Sequence, residues 1–276
     1  MSVSISRLYC DSLSCMETAP ELSRQLRRAD DFIKLGVQAG YATIREVKGK
    51  DFLPADSLGL FLGTAFGTME TNFAVLNQVV TEEPPSPILF SHSVFNAAAG
   101  YIATIFDIQG CALTITDFVF PFFRALEQGY LAVLTGRLDY CLVLQIETYS
   151  TLLNDANKKS GSADETWCPG AVCWLLGKTD PDSSVNYQIE SLKIESGLEE
   201  PDSCLKFKEQ VWINGTSSLC TNPLCAATLL TQKMKTSGIT DRLDCRIDAQ
   251  YGAVELRFNR MNQCLTSAIL PEKIRN

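Results

Sequence analysis

The chain has 276 residues, of which 46% are hydrophobic and 20% charged, and a formal net charge of −8. A chain of this size can bury a full core, as one domain or as two closely packed ones. The acidic balance excludes nucleic acid as a natural partner, because a phosphate backbone selects basic surfaces. No charge-free run reaches the roughly 20 residues needed to span a bilayer. The opening MSVSISRLYC has no apolar signal core, so a cytoplasmic protein with no membrane span is expected.

From the N-terminus, Ser2 to Leu8 suits a strand, and apolar residues at helical spacing predict a helix from about Ser23 through Val47. Gly36 and Gly40 would let that helix pack tightly. Leu58 to Gly63 reads as a buried strand, and Thr64 onward turns into a helix reaching Val80. Phe66, Met69 and Phe73 fall at i, i+3 and i+7, one stripe of such a helix. Glu82 to Pro87 is a loop. Asn154 to Glu165 is polar and reads as a further loop.

The central stretch runs from Gly110 to Glu147. Cys111 to Thr116 alternates as a strand does, and Asp117 can accept from the free N–H groups of a following helix. Pro121 suits a first turn. Phe122, Ala125, Leu126, Gly129 and Val133 mark one helix face, and Thr135-Gly136-Arg137 stops it. Tyr140 to Ile146 is a continuous apolar run, typical of a strand covered on both faces. Beyond it, Gly170 to Gly177 and Val185 to Ser191 suit strands. Asn222 to Lys235 suits a helix, and Asp244 to Ile247 with Ala253 to Phe258 a hairpin. Asn214-Gly215-Thr216 is a turn rather than a glycosylation site.

Strand, elbow, helix ending at Gly136-x-x-Asp139, and apolar strand together resemble the nucleophile region of the β-ketoacyl synthases of the thiolase fold. Three further segments resemble the same family in the correct order. They are the arginine-led helix from Arg24, the Pro87 to Gly100 segment with Ser91 and Asn96, and the Gly170 to Gly177 strand. The resemblance implies a layered α/β thiolase-like fold with a truncated second half. Residues 1–195 would form the ketosynthase-like half and 196–276 a reduced C-terminal half.

In that family a cysteine sits at the elbow, where the helix dipole stabilises its thiolate. Counting from Gly110 or Gly136 places that position at Val119, which carries no nucleophile. The family's second half supplies two catalytic histidines, yet this chain has a single histidine, His92, in its first half. The resemblance therefore implies no catalytic residue here. It points to a chain-length factor, the inactive subunit that pairs with an active β-ketoacyl synthase in fatty-acid or polyketide (for example aryl polyene) biosynthesis. Phe66, Met69 and Phe73 would line the acyl tunnel, with Phe118 and Phe120 filling the vacated site.

An acyl carrier protein would reach the complex through a basic patch, for which Arg24, Arg27, Arg28, Lys34, Lys158 and Lys159 are candidates. Two alternatives are an enzyme of altered chemistry, an acyl-thioester hydrolase or decarboxylase using Cys111 or Asp117, and an acyl-thioester-binding or scaffold homodimer with no ketosynthase partner.

No cofactor loop and no metal-ligand spacing is present. The eleven cysteines include no C-x-x-C pair, and buried free thiols are expected. Asp117 fits a helix cap better than a base, and His92 fits a helix start or an interface better than catalysis.

Overall fold

The computed structural model describes residues 2–45, 53–159, 167–177, 187–197, 209–236 and 242–261. Ten strands form one continuous sheet: β1 (Ser4–Ser12), β2 (Leu58–Thr64), β3 (Ala112–Thr116), β4 (Tyr140–Glu147), β5 (Gly170–Gly177), β6 (Tyr187–Ser196), β7 (Glu209–Ile213), β8 (Thr216–Cys220), β9 (Arg242–Ala249) and β10 (Gly252–Arg260). Among the described residues seven α-helices accompany them: α1 (Asp31–Ile44), α2 (Met69–Val80), α3 (Pro87–His92), α4 (Ala97–Ile105), α5 (Pro121–Leu134), α6 (Thr151–Lys159) and α7 (Cys225–Thr236).

The strand order is β3-β2-β4-β5-β1-β6-β10-β9-β7-β8. The three strands at the β3 end are parallel, and every other neighbouring pair is antiparallel. The parallel strands are crossed by helices, α5 linking β3 to β4, as parallel pairing requires. The two halves of the sheet meet along a short seam, where Ser4 and Ile5 of β1 pair with Gln188 and Tyr187 of β6.

Period-two alternation divides the first-half strands between two cores. Leu142, Leu144 and Ile146 of β4 join the core under α1 and α4. Cys141 and Val143 face the other way, into the core built with α5 and α7. Both faces are covered, which is why β2 and β4 read as unbroken apolar runs. α1 starts where Asp30 caps the Ile33 N–H at 2.9 Å.

The second half is covered on one face. Leu243, Cys245 and Ile247 of β9 and Val254, Leu256 and Phe258 of β10 join the α5 and α7 core. Their neighbours on the opposite face are charged and pair with one another: Arg246 with Asp248 at 2.8 Å, Arg242 with Asp244 at 3.2 Å, and Arg246 with Glu255. Among the described residues no helix lies on that face. No helix among them is long and apolar enough to cross a membrane.

Several local expectations change. The helix expected from Ser23 begins at Asp31, because the segment before it closes in turns whose Leu22 and Leu26 reach the core. Part of the polar stretch after Asn154 continues helix α6, and the part from 160 to 165 lies outside the described residues. β7 and β8 were not legible in advance. They form a hairpin closed by Asn214 and Gly215, both at positive φ, so the turn expected there is present. Cys220 and Cys225 form a disulfide joining the end of β8 to the start of α7. The expectation of buried free thiols therefore fails for this pair and for Cys15, Cys111 and Cys168, which are free but exposed, and holds for Cys141, Cys173 and Cys245.

Candidate functional site at the elbow

The elbow follows β3 at residues 117–120. Asp117 Oδ1 accepts the N–H groups of Val119 at 2.8 Å and Phe120 at 2.9 Å, and Arg124 reaches Asp117 Oδ2 at 3.5 Å. Asp117 thus organises the bend ahead of the helix. The N-cap position of α5 itself belongs to Phe120, which has no side-chain cap bond. Val119 precedes it and packs partly buried against the α5 and α7 core. Neither residue carries a nucleophilic atom, and the amides that would face an anion there already bond Asp117.

The five aromatic and Met positions singled out from the sequence divide. Phe66 lies in the β2–α2 loop, ahead of the first helical residue, Met69, so the expected single helical stripe does not include it. It meets Phe118 edge to face at 5.7 Å and stacks on Trp167 at 5.7 Å, and Tyr149 closes the group. Phe118 itself is 66% exposed and forms the rim rather than a filling. Phe120 is buried core, while Phe73 faces outward on α2. Tyr149 and Trp167 are two buried members of this group that sequence patterning does not reveal; they flank the polar stretch after Asn154.

Beneath Phe66 lies a carboxylate that the sequence reading also missed. Glu147, fully buried at the end of β4, collects four donors. Its Oε1 accepts Ala65 N–H at 2.7 Å and Gln145 Nε2 at 3.0 Å, and its Oε2 accepts Phe66 N–H at 3.3 Å and the Thr64 hydroxyl at 3.4 Å. Burial pushes this carboxyl up to about 7 in spite of those donors. Gln145 Nε2 also donates to the Pro223 carbonyl at 3.0 Å, tying the group to the loop before α7. A signal existed in the sequence: two polar residues alternate into an otherwise apolar strand.

A second buried carboxyl, Glu209 at the start of β7, has both oxygens without a hydrogen-bond partner among the described residues. Burial raises it well above the usual carboxylate range, and Asp117 adds to the effect.

Other candidates lie elsewhere. Cys111 precedes β3 at the end opposite the elbow, roughly 20 Å from Asp117 at about 3.3 Å per residue. The two alternative candidates therefore lie at opposite ends of β3. His92 is buried at the end of α3, its Nε2 3.1 Å from Tyr101 Oη, which is an internal contact rather than a helix start. A groove of about 380 Å³ runs between β1, β5 and α7, lined by Cys10, Asp11, Cys168, Leu224 and Cys225 among others. Neither Phe66 nor Val119 lines it.

No protein-family model and no curated protein matches the sequence. Solved structures do match in fold. A type II polyketide synthase acyl-carrier protein in complex with its ketosynthase bound to the hexaketide (AntDE:AntF) has a chain that aligns with TM-score 0.70 at 12% identity, covering 94% of this chain and 99% of that one. A complex of a ketosynthase (ApeO) with its chain length factor (ApeC) from Xenorhabdus doucetiae aligns with TM-score 0.60 at 15% identity, over 94% and 100%. The ishigamide ketosynthase/chain length factor aligns with TM-score 0.57 at 15% identity, over 72% and 68%.

The chain has the thiolase-like ketosynthase fold. The strand, elbow, helix and apolar strand expected between Gly110 and Glu147 are present as β3, residues 117–120, α5 and β4.

Proposed function

We propose that the chain is the non-catalytic subunit of a ketosynthase complex, a chain-length factor that pairs with an active β-ketoacyl synthase and helps shape its acyl tunnel in fatty-acid or polyketide-type biosynthesis. The observation that carries this reading is the elbow. A ketosynthase scaffold presents Val119 and Phe120 where the helix begins, its turn amides held by Asp117. An acid–base role for Asp117 is disfavoured by the same bonds and by Arg124. In this reading residues 1–195 are the ketosynthase-like half and 196–276 the reduced half, working in the cytoplasm without a cofactor.

The surface around the elbow supports a protein partner. β3 is an edge strand, paired only with β2 among the described residues, so it offers a row of unpaired backbone groups. Elsewhere α2 and α3, packed on each other, expose Leu76, Val79, Val80 and Phe90, and β3 itself exposes Leu113. Scattered apolar residues are ordinary on a surface, but this many on two adjacent helices support a protein partner. A carrier protein would approach the complex rather than this chain alone. Arg24, Arg27 and Arg28 are exposed and available to it, whereas Lys34 is engaged by Asp31 at 3.0 Å.

Phe66 with Phe118 centres the proposed gate; Met69 and Phe73 of α2 are proposed to border it, and Phe120 to support it from the core. The test is product length in a reconstituted complex with the partner synthase. Phe66→Ala is expected to shift products to longer chains, since removing a ring opens volume for further methylenes. An unchanged distribution from an intact complex sinks the gate.

A further inference from the structure

All four groups around Glu147 are hydrogen-bond donors when its carboxylate is ionised: two backbone N–H groups, a side-chain amide and a hydroxyl. A protonated carboxyl cannot satisfy the same set, because one of its oxygens becomes a donor. The two shorter bonds lie on Oε1 and the two longer ones on Oε2, so the proton belongs on Oε2. There the new O–H can be accepted by Thr64 Oγ1, which also accepts Gly67 N–H at 2.8 Å and whose own proton must then turn away. The Phe66 N–H is left facing a protonated oxygen. The Ala65 N–H keeps its acceptor.

We propose that Glu147 is a positioning residue, a protonation-sensitive latch that fixes the Phe66 loop through Oε2 and, through Gln145, ties that loop to the start of α7. The consequence for product length rests on the reading of Phe66 as a gate, whereas the latch itself is a property of the isolated chain. The groups facing Glu147 leave it in control of the equilibrium. Thr64, Ala65 and Phe66 of the β2–α2 segment, Gln145 of β4 and Pro223 before α7 do not titrate. Tyr149, following β4, is held neutral because burial pushes its phenol well up and Glu147 adds to this. Burial pushes Glu147 up to about 7, which puts the latch within the neutral range.

The test is residue-resolved amide hydrogen exchange on the isolated chain, corrected for the intrinsic pH dependence of exchange, between pH 5.5 and 8. The Phe66 amide is expected to gain roughly tenfold or more in protection as Glu147 ionises, the scale of a hydrogen bond to a charged group. Ala65 is expected to stay protected throughout. In Glu147→Gln the side-chain amide mimics the protonated form, so the Phe66 step is expected to vanish at the low-pH level. A Phe66 protection factor that stays flat in the natural protein overturns the latch, and this arm needs no variant to fold. A step that persists in Glu147→Gln overturns it equally. A latch present in the isolated chain, with product length unmoved by Phe66 substitution in the complex, supports the latch and removes the gate.

Discussion

A methyl group on Gly63 of β2 would stand 2.0 Å from the carbonyl oxygen of Pro121, the first residue of α5. Strand and helix thus touch backbone to backbone beside the elbow, and a backbone oxygen cannot swing aside as a side chain can. Gly63→Ala is expected to displace α5 or the strand, at a cost of about 1–3 kcal/mol or more. Gly100 on α4 is the control, because nothing lies within 4 Å of an added methyl there. Gly100→Ala is expected to stabilise by about 0.5–1 kcal/mol through helix propensity. Thermal or urea unfolding of both variants checks the contrast.

Glu147 and Glu209 both have native carboxyls raised above their unfolded values. The native state therefore holds protons that the unfolded chain has released, and this contribution to stability is lost as pH rises through the window. For Glu147 the window runs from about 4.5 to about 7. The loss over that window is on the order of 3–4 kcal/mol, at about 1.4 kcal/mol per pH unit. Urea unfolding at pH 5 and pH 8 is expected to show the lower stability at pH 8. Glu147→Gln is expected to remove much of that slope. A slope of the opposite sign would show that the burial cost does not dominate.

The Cys220–Cys225 disulfide closes a short loop carrying Pro223, whose carbonyl Gln145 holds. Two of the eleven cysteines are expected to resist alkylation in the unfolded, unreduced protein and to react after reduction, with peptide mapping assigning them to 220 and 225. Replacing both by serine is expected to cost about 2 kcal/mol on loop-closure grounds. Full alkylation without reductant would contradict the pairing.

Installing a nucleophile should not restore condensation. Val119→Cys places a thiol near the elbow, but the chain's one histidine is buried against Tyr101, leaving none for that site. The isolated variant is expected to show no malonyl condensation in a decarboxylation-coupled assay. Robust turnover would contradict the non-catalytic reading.

The first half was legible because its signals are local and mutually consistent. Apolar runs at β2 and β4, Pro121 at a helix start, and Gly136 at its end each fix an element by period or backbone chemistry. Glu147 left only a weak trace, because two polar residues alternating into a strand end read equally as a boundary. Only the tertiary fold brings the Ala65 and Phe66 amides onto it. Trp167 and Tyr149 were missed for the same reason: their contact with Phe66 spans roughly a hundred residues and leaves no periodic trace. β7 and β8 are short, and Thr216 to Cys220 is mostly exposed and polar, which defeats hydrophobic patterning.

The most direct test of the central claim is a tagged purification from the native host, with mass spectrometry and solution mass on the eluate. The account predicts an equimolar, full-length ketosynthase with an intact elbow cysteine, held in a heterodimer that polar substitutions at Leu76 and Val79 weaken. A clean homodimer with no such companion would contradict it.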